Sequence, residues 1–310
     1  MNFRSVFLLI TVLFLNTTLF GQELAYNLSE EEQELNIIFD SLRLAQTDAE
    51  KATLNNKVID WLSDILDDDR SFSYNFSIVD KIGILNSDDG RMRIYNWNVL
   101  FAGNVPKYYA FVQYYHPKKD EYFVYQLHDK SDELTNPALK SLGADDWYGS
   151  LYYQIITCKD KEGPFYTLLG WDGNNSLVNR KVIDILSFSS IGKPRFGRTV
   201  FELQDEKIPG KPNKKLKRVI FEYSARASMI LKYDPIKDFI FFDHLAPIEL
   251  KYKDIRQYYG PDMTQDIMKF KNGIWVHQLN ADLRRAKRKS EEPEKPARSD
   301  NFMSKPPQTF

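Results

Sequence analysis

Residues 269–278 read Lys-Phe-Lys-Asn-Gly-Ile-Trp-Val-His-Gln, and this stretch decides the fold class. Asn272–Gly273 is a preferred two-residue hairpin turn, because both central positions take positive φ at little cost. The flanking runs, Lys269 to Lys271 and Ile274 to Gln278, are then the two arms of an antiparallel pair.

Upstream, back to Phe72, the texture is the same: short aromatic and β-branched runs separated by Asp, Asn and Gly, the signature of antiparallel strands. Lys81 to Leu85 and Met92 to Asn98 flank the turn Asp88–Asp89–Gly90. Tyr108 to Tyr115 and Glu121 to His128 flank Pro117–Asp120. Tyr152 to Cys158 and Phe165 to Trp171 flank Lys161–Pro164, and Asp172–Asn175 turns the chain toward Lys181 to Phe188. Lys217 to Tyr223, Ser228 to Tyr233 and Phe239 to Asp243 form a further meander. Between these runs, Lys130 to Gly149 is an irregular insertion in which Pro137 opens a short helix. The runs group into about three meanders of about four strands. A propeller typically needs about 4–8 blades, and the meanders share no fixed period. Both a propeller-like array and a large β-sandwich partly covered by helices remain open.

The helices come from the N-terminal side. Leu35, Ile38, Phe39, Leu42 and Ala45 recur at three- and four-residue steps, and Leu54, Val58, Trp61, Leu62 and Ile65 make a second stripe. Ser29 with Glu32, and Thr47 with Glu50, have capping-box spacing. Asp67–Asp69 ends the second helix, because carboxylates are unfavourable at a helix C-terminus. The expected plan is a signal peptide over 1–21, a helical segment over 22–70, an antiparallel β domain over 71–283 and a disordered basic, Pro-rich tail over 284–310.

The first of these segments is an address. Arg4 precedes the apolar run Val6 to Leu15, and Asn16–Thr18 leads to Gly21, the layout of a secretory signal. The run falls short of the about 20 apolar residues that span a membrane. Leu19 stands where a small residue is preferred, so an uncleaved anchor is the alternative to cleavage at Gly21–Gln22. The one cysteine, Cys158, permits no internal disulfide and follows Ile155–Thr157 as a strand residue, expected to be buried and inert. No cysteine near the signal's exit offers a lipid anchor, so the mature chain is expected not to be an integral membrane protein. Forty-two basic residues against 43 acidic ones create no field for nucleic acid or an anionic membrane. The tail after Arg284 has too few apolar groups to offset its ordering entropy.

Sites are sparse in the sequence. His116, His128, His244 and His277 lack metal-site spacing, so no metal is expected. No serine sits in a nucleophile elbow, no phosphate loop or dinucleotide fingerprint is present, and no cofactor is expected. The acidic turns at Asp88–Asp89 and Asp172–Asn175 lack the alternating oxygen array of a calcium loop. Aromatic residues make up 14% of the chain, and in an exported β protein exposed rings can stack on sugars. Trp147 and Tyr148, beside Asp145 and Asp146 in the irregular segment, are the first candidates for such a platform, with Trp171 as a further ring. Glu222, Arg226 and Asp243 lie among apolar strand residues and are the candidates for a pocket or a pair of working carboxylates.

Leu168–Asn174, Lys181–Asp184 and Lys271–Trp275 resemble corresponding stretches in a group of exported Bacteroidota proteins with no established activity. The resemblance runs from the first helix to the last hairpin and implies export, with no reaction attached. No C-terminal β domain of the kind used for surface secretion is evident, which favours the periplasm or the inner face of the outer membrane over release outside the cell. The expected function is a non-enzymatic envelope protein that binds another protein or a glycan. A glycan-binding module is its specific version, and a carboxylate-dependent hydrolase is the competing class.

Overall fold

The computed structural model describes residues 27–205, 208–213 and 216–281; the signal and tail expectations lie outside them. Helix α1 (Ser29–Leu44) buries Leu35, Phe39 and Leu42, and α2 (Asp48–Leu66) buries Val58, Leu62 and Leu66. At Thr47 the capping box forms: the hydroxyl accepts from the Glu50 amide and the Glu50 carboxylate accepts from the Thr47 amide. The one expected at Ser29 does not form. Helix α1 is capped at Leu28 without a side chain, and Glu32 instead accepts from the Ile78 amide at 2.7 Å, fully buried. A tertiary contact has taken the carboxylate that local spacing assigned to the cap. Among the described residues no helix is long and apolar enough to cross a membrane.

The rest is mainly β. Strands β1 (Gly83–Asn86), β2 (Met92–Phe101), β3 (Val105–His116) and β4 (Glu121–His128) form an antiparallel sheet in that order. Strands β5 (Leu151–Asp160), β6 (Gly163–Asp172), β7 (Val178–Phe188) and the short β8 (Pro194–Phe196) follow. Next come β9 (Phe201–Asp205), β10 (Ile208–Asn213), β11 (Val219–Ser224), β12 (Leu231–Asp234), β13 (Phe239–Pro247), β14 (Tyr259–Lys271) and β15 (Ile274–Gln278). The second sheet is ordered β11-β7-β6-β5, with β8 on β7, and the third β10-β9-β15-β14-β13-β12. Among the described residues, all strand-to-strand pairings are antiparallel except β15 with β9.

The three sheets stack as layers; none closes into a barrel. One core, with Leu35, Val58 and Leu62 against Tyr95, Trp97 and Phe111, lies between the helices and the first sheet. A second joins the first sheet (Ile94, Ala110, Val112) to the second (Leu168, Val182, Leu186). A third joins the second sheet (Phe165, Leu169, Ile183) to the last (Ile240, Met268, Trp275). The order is therefore helices, sheet, sheet, sheet. The central sheet is covered on both faces, which is why β6 is buried without a break from Phe165 to Gly170. Tyr166 and Leu168 face one neighbour, Phe165 and Leu169 the other. The Trp275 indole N–H reaches from the last sheet to the Thr167 hydroxyl at 2.9 Å. Of the two open architectures, the sandwich is the one present.

Candidate functional site

The expected aromatic platform is not at the surface. Trp147 and Tyr148 are 0% and 1% exposed, whereas Asp145 and Asp146 do face solvent. The indole N–H of Trp147 donates to the Tyr152 hydroxyl at 3.0 Å, which lies 3.2 Å from Asp184 Oδ2. The Tyr148 hydroxyl donates to Asp172 at 2.9 Å, and the Tyr108 hydroxyl approaches the same carboxylate at 3.3 Å. Irregular backbone does not imply exposed side chains. This segment instead turns its rings inward, between the first two sheets, beside Leu142 and Phe196. Trp171 is half-buried. Burial raises the Asp172 carboxyl above the ordinary range, against the Asn174 amide, Arg180 and Tyr148, which lower it.

Glu222, Arg226 and Asp243 do not converge on one point. Glu222 accepts from Arg180 Nε at 3.0 Å and lies 3.9 Å from Arg256. Asp243 accepts from the Ile230 amide at 2.8 Å and from Gln265 at 3.2 Å. Arg226 is exposed and borders a different cleft, with Ser176, Leu177 and Tyr258. The trio is scattered, because Arg226 sits in the turn after β11. Cys158 is buried, as expected; desolvation pushes its thiol up to about 12, against the Thr167 hydroxyl contact.

Glu222 and Asp243 do share a cleft of about 260 Å³ with a cluster that the sequence did not reveal, His244, Asp266 and His277. Asp266 Oδ2 lies 2.9 Å from His244 Nδ1 and 3.2 Å from His277 Nε2, while Oδ1 accepts from the Asn280 amide at 2.8 Å. Register explains the meeting. Asp266 is opposite Phe242 and His277 is opposite Met268, so with His244 they share the inner face of the last sheet. The β13–β14 register breaks between Asp243 and Leu245, leaving residues 262–264 opposite His244, with Met263 at φ 72°. Such a bulge re-aims the side chain across from it. The Gln204 amide donates to His277 Nδ1 at 3.2 Å, so in the neutral ring the proton is on Nε2, facing Asp266. That arrangement suits a carboxylate clamp and opposes a metal. Among the described residues no group of His, Cys, Asp and Glu is placed to hold one.

Burial alone would raise the Asp266 carboxyl, but the His277, His244 and Asn280 hydrogen bonds outweigh it and hold it below the ordinary value. A depressed folded pKa contributes stability that is present above the unfolded value of about 3.9 and is lost as pH falls through the folded one. Asp266→Asn is expected to cost about 1.5–3 kcal/mol near pH 6. Denaturant titrations at stepped pH check this. The gap between variant and wild type should shrink below about pH 4, and a gap independent of pH contradicts the clamp.

A different concavity opens between the helices and the first two sheets. This groove of about 760 Å³ has Leu42, Ile84, Leu85, Val99 and Leu151 in its lining, with Asn96, Asn98 and Asn104 as amides. Arg43, Lys51 and Lys81 stand on it against a single carboxylate, Asp80, which pairs with Lys81 at 2.5 Å. A wider trough of about 910 Å³ beside β8 has four serines and four cations in its lining; there Arg198 is held by Asp160 and Glu162, and Lys217 by Ser141. The groove combines apolar surface with converging amides and backbone, the composition of ligand sites. Sequence patterning missed it because its residues come from α1, α2, β2, β5 and the lead into β1. No family model, no curated protein and no solved structure matches this chain.

Proposed function

We propose that this chain is an exported, non-enzymatic binding protein of the cell envelope, and that its ligand occupies the groove between the helical pair and the first two sheets. One observation carries the reading: there the apolar lining borders a length of β2 that is paired with β3 on one side but that β1 leaves open on the other. Strand β1 pairs with β2 only from Gly83↔Asn96 to Asn86↔Arg93, and β2 runs on to Phe101. The carboxylates described above, Asp172, Glu222, Asp243 and Asp266, are each engaged by partners of the fold itself. Export rests on the charge, apolar run and polar exit of residues 1–21.

A photo-crosslinking residue placed at Asn98, compared with the same residue at the fully exposed Ile236 on the far sheet, tests the proposal in cells. Adducts of discrete mass from the envelope fraction at position 98, and not at 236, are the expected result. No adduct at 98, or the same adducts at both positions, overturns it.

A further inference from the structure

We infer that the groove receives an extended peptide, apolar with an acidic end, which adds to the first sheet as a strand along β2; this rests on the groove being the binding site. The backbone geometry points to it. The Ser87 amide donates to the Met92 carbonyl at 2.8 Å, so the polar groups of Met92 face β1, and in an antiparallel ladder those of Ile94, Asn96, Asn98 and Leu100 face the same side. Continuing the Gly83↔Asn96 register would set Lys81 opposite Asn98 and Val79 opposite Leu100. The strand begins only at Gly83, and the chain before it leaves the sheet. Asn98 and Leu100 therefore turn their amides into the groove with no strand to meet them.

Two side chains carry the same mark. Asn96 donates Nδ2 to the Gly83 carbonyl at 2.9 Å, but its buried Oδ1 has no donor. Lys51 Nζ reaches from α2 to the Leu100 carbonyl at 2.8 Å, the acceptor that an added strand's amide would use. A lysine on an open edge guards it against indiscriminate pairing. When a strand arrives, its amide takes the carbonyl, and Lys51 is released beside Arg43 and Lys81 on the same groove.

Those three cations outnumber the carboxylates beside them, Asp80 on the groove and Asp40 at 3.8 Å from Arg43, and the positive excess chooses the occupant. Edge-to-edge pairing of two copies would bring both sets of cations together, so a second copy is disfavoured. An extended segment with Val- or Ile-like residues on the face toward Ile84 and Leu151, and a carboxylate at its end, satisfies the apolar lining, the edge amides and the charge. This is strand addition, with main-chain bonds giving affinity and side-chain pockets giving selectivity.

The test uses the full chain and a synthetic peptide of alternating Val and Thr ending in Asp and a free carboxylate. Hydrogen exchange at the Asn98 and Leu100 amides is expected to slow by about tenfold or more at saturation. Replacing the Asp by Lys and amidating the C-terminus should weaken binding about fivefold. The same peptide N-methylated along its pairing edge should not protect, and Asn98→Pro, which removes a donor outside the β3 ladder, should abolish binding while melting is retained. Equal protection by the N-methylated peptide, no protection by either, or concentration-dependent protection of the protein alone, which would signal a second copy, overturns the inference. Crosslinks at position 98 without peptide protection would leave the groove as a site and remove only the strand.

Discussion

Arg218→Met lowers the unfolding free energy by about 3–5 kcal/mol. The side chain is fully buried, with Nε 2.7 Å from Asp184 Oδ2, itself fully buried. Its Nη1 donates to the Pro137 carbonyl at 2.8 Å, and the guanidinium lies 5.4 Å from the Tyr148 ring centroid. This one cation therefore ties β11 to β7 and to the irregular segment 130–149. Removing it leaves Asp184 fully buried between two sheets, supported among the described residues by the Tyr152 hydroxyl and its neighbouring Ile185 amide. An uncompensated buried charge, rather than the lost attraction, sets the cost. The combined variant Asp184→Leu/Arg218→Met therefore loses less than the two singles summed, by about 1.5 kcal/mol or more. Urea denaturation of the four proteins measures the coupling. Strict additivity would show that the two groups do not act on each other.

Local chemistry made the hairpins legible. Asn272 and Gly273 both adopt positive φ, 52° and 83°, as their pairing in the sequence requires. The strand runs from Met92 to Phe188 were readable because each is bounded by Gly, Asp or Asn and rich in aromatic and β-branched residues. Strands β8, β9 and β10 were not, because residues 194–213 carry Pro, Gly and Lys among few apolar groups. Strand β9 joins the last hairpin through its parallel pairing with β15, a pairing that no local pattern encodes. The first half of β14 carries no regular strand pattern, because residues 262–264 form a bulge between the Leu245↔Pro261 and Asp243↔Gln265 pairs. The sites depend still more on register. His244, Asp266 and His277 are spread along the sequence and meet only because two strand pairings put them on one face. The groove depends on where β1 stops, since Lys81 and Ile82 look like strand residues and leave the sheet. The same limit explains Trp147. Its neighbours Asp145 and Asp146 are exposed, and nothing local says that the ring turns the other way.

Trp147→Ala is therefore expected to act as a core deletion, costing about 3–5 kcal/mol. The ring is fully buried against Tyr152 and Phe196. Its backbone is equally engaged: the Trp147 carbonyl accepts from the Lys130 amide at 2.9 Å and the residue bridges Asp129. The surroundings have little freedom to collapse into the space, because the Asp129 carboxylate is pinned by the Tyr108, Ser131 and Gly149 amides. A Cβ added at Gly149 would stand only 2.2 Å from Asp129 Cγ, so the segment cannot slide inward past it. Trp147→Phe keeps most of the ring volume and should lose less, even though the Tyr152 hydroxyl forfeits its donor. In a domain of this size the Ala variant should melt at least about 6 °C lower. Calorimetry of the two variants orders the effects, and sugar binding gives the opposing readout. A Trp147→Ala protein that melts like wild type but loses a bound oligosaccharide would restore the exposed platform. Loss of melting temperature in the order Ala, then Phe, instead places the ring's whole contribution in holding the first two sheets together.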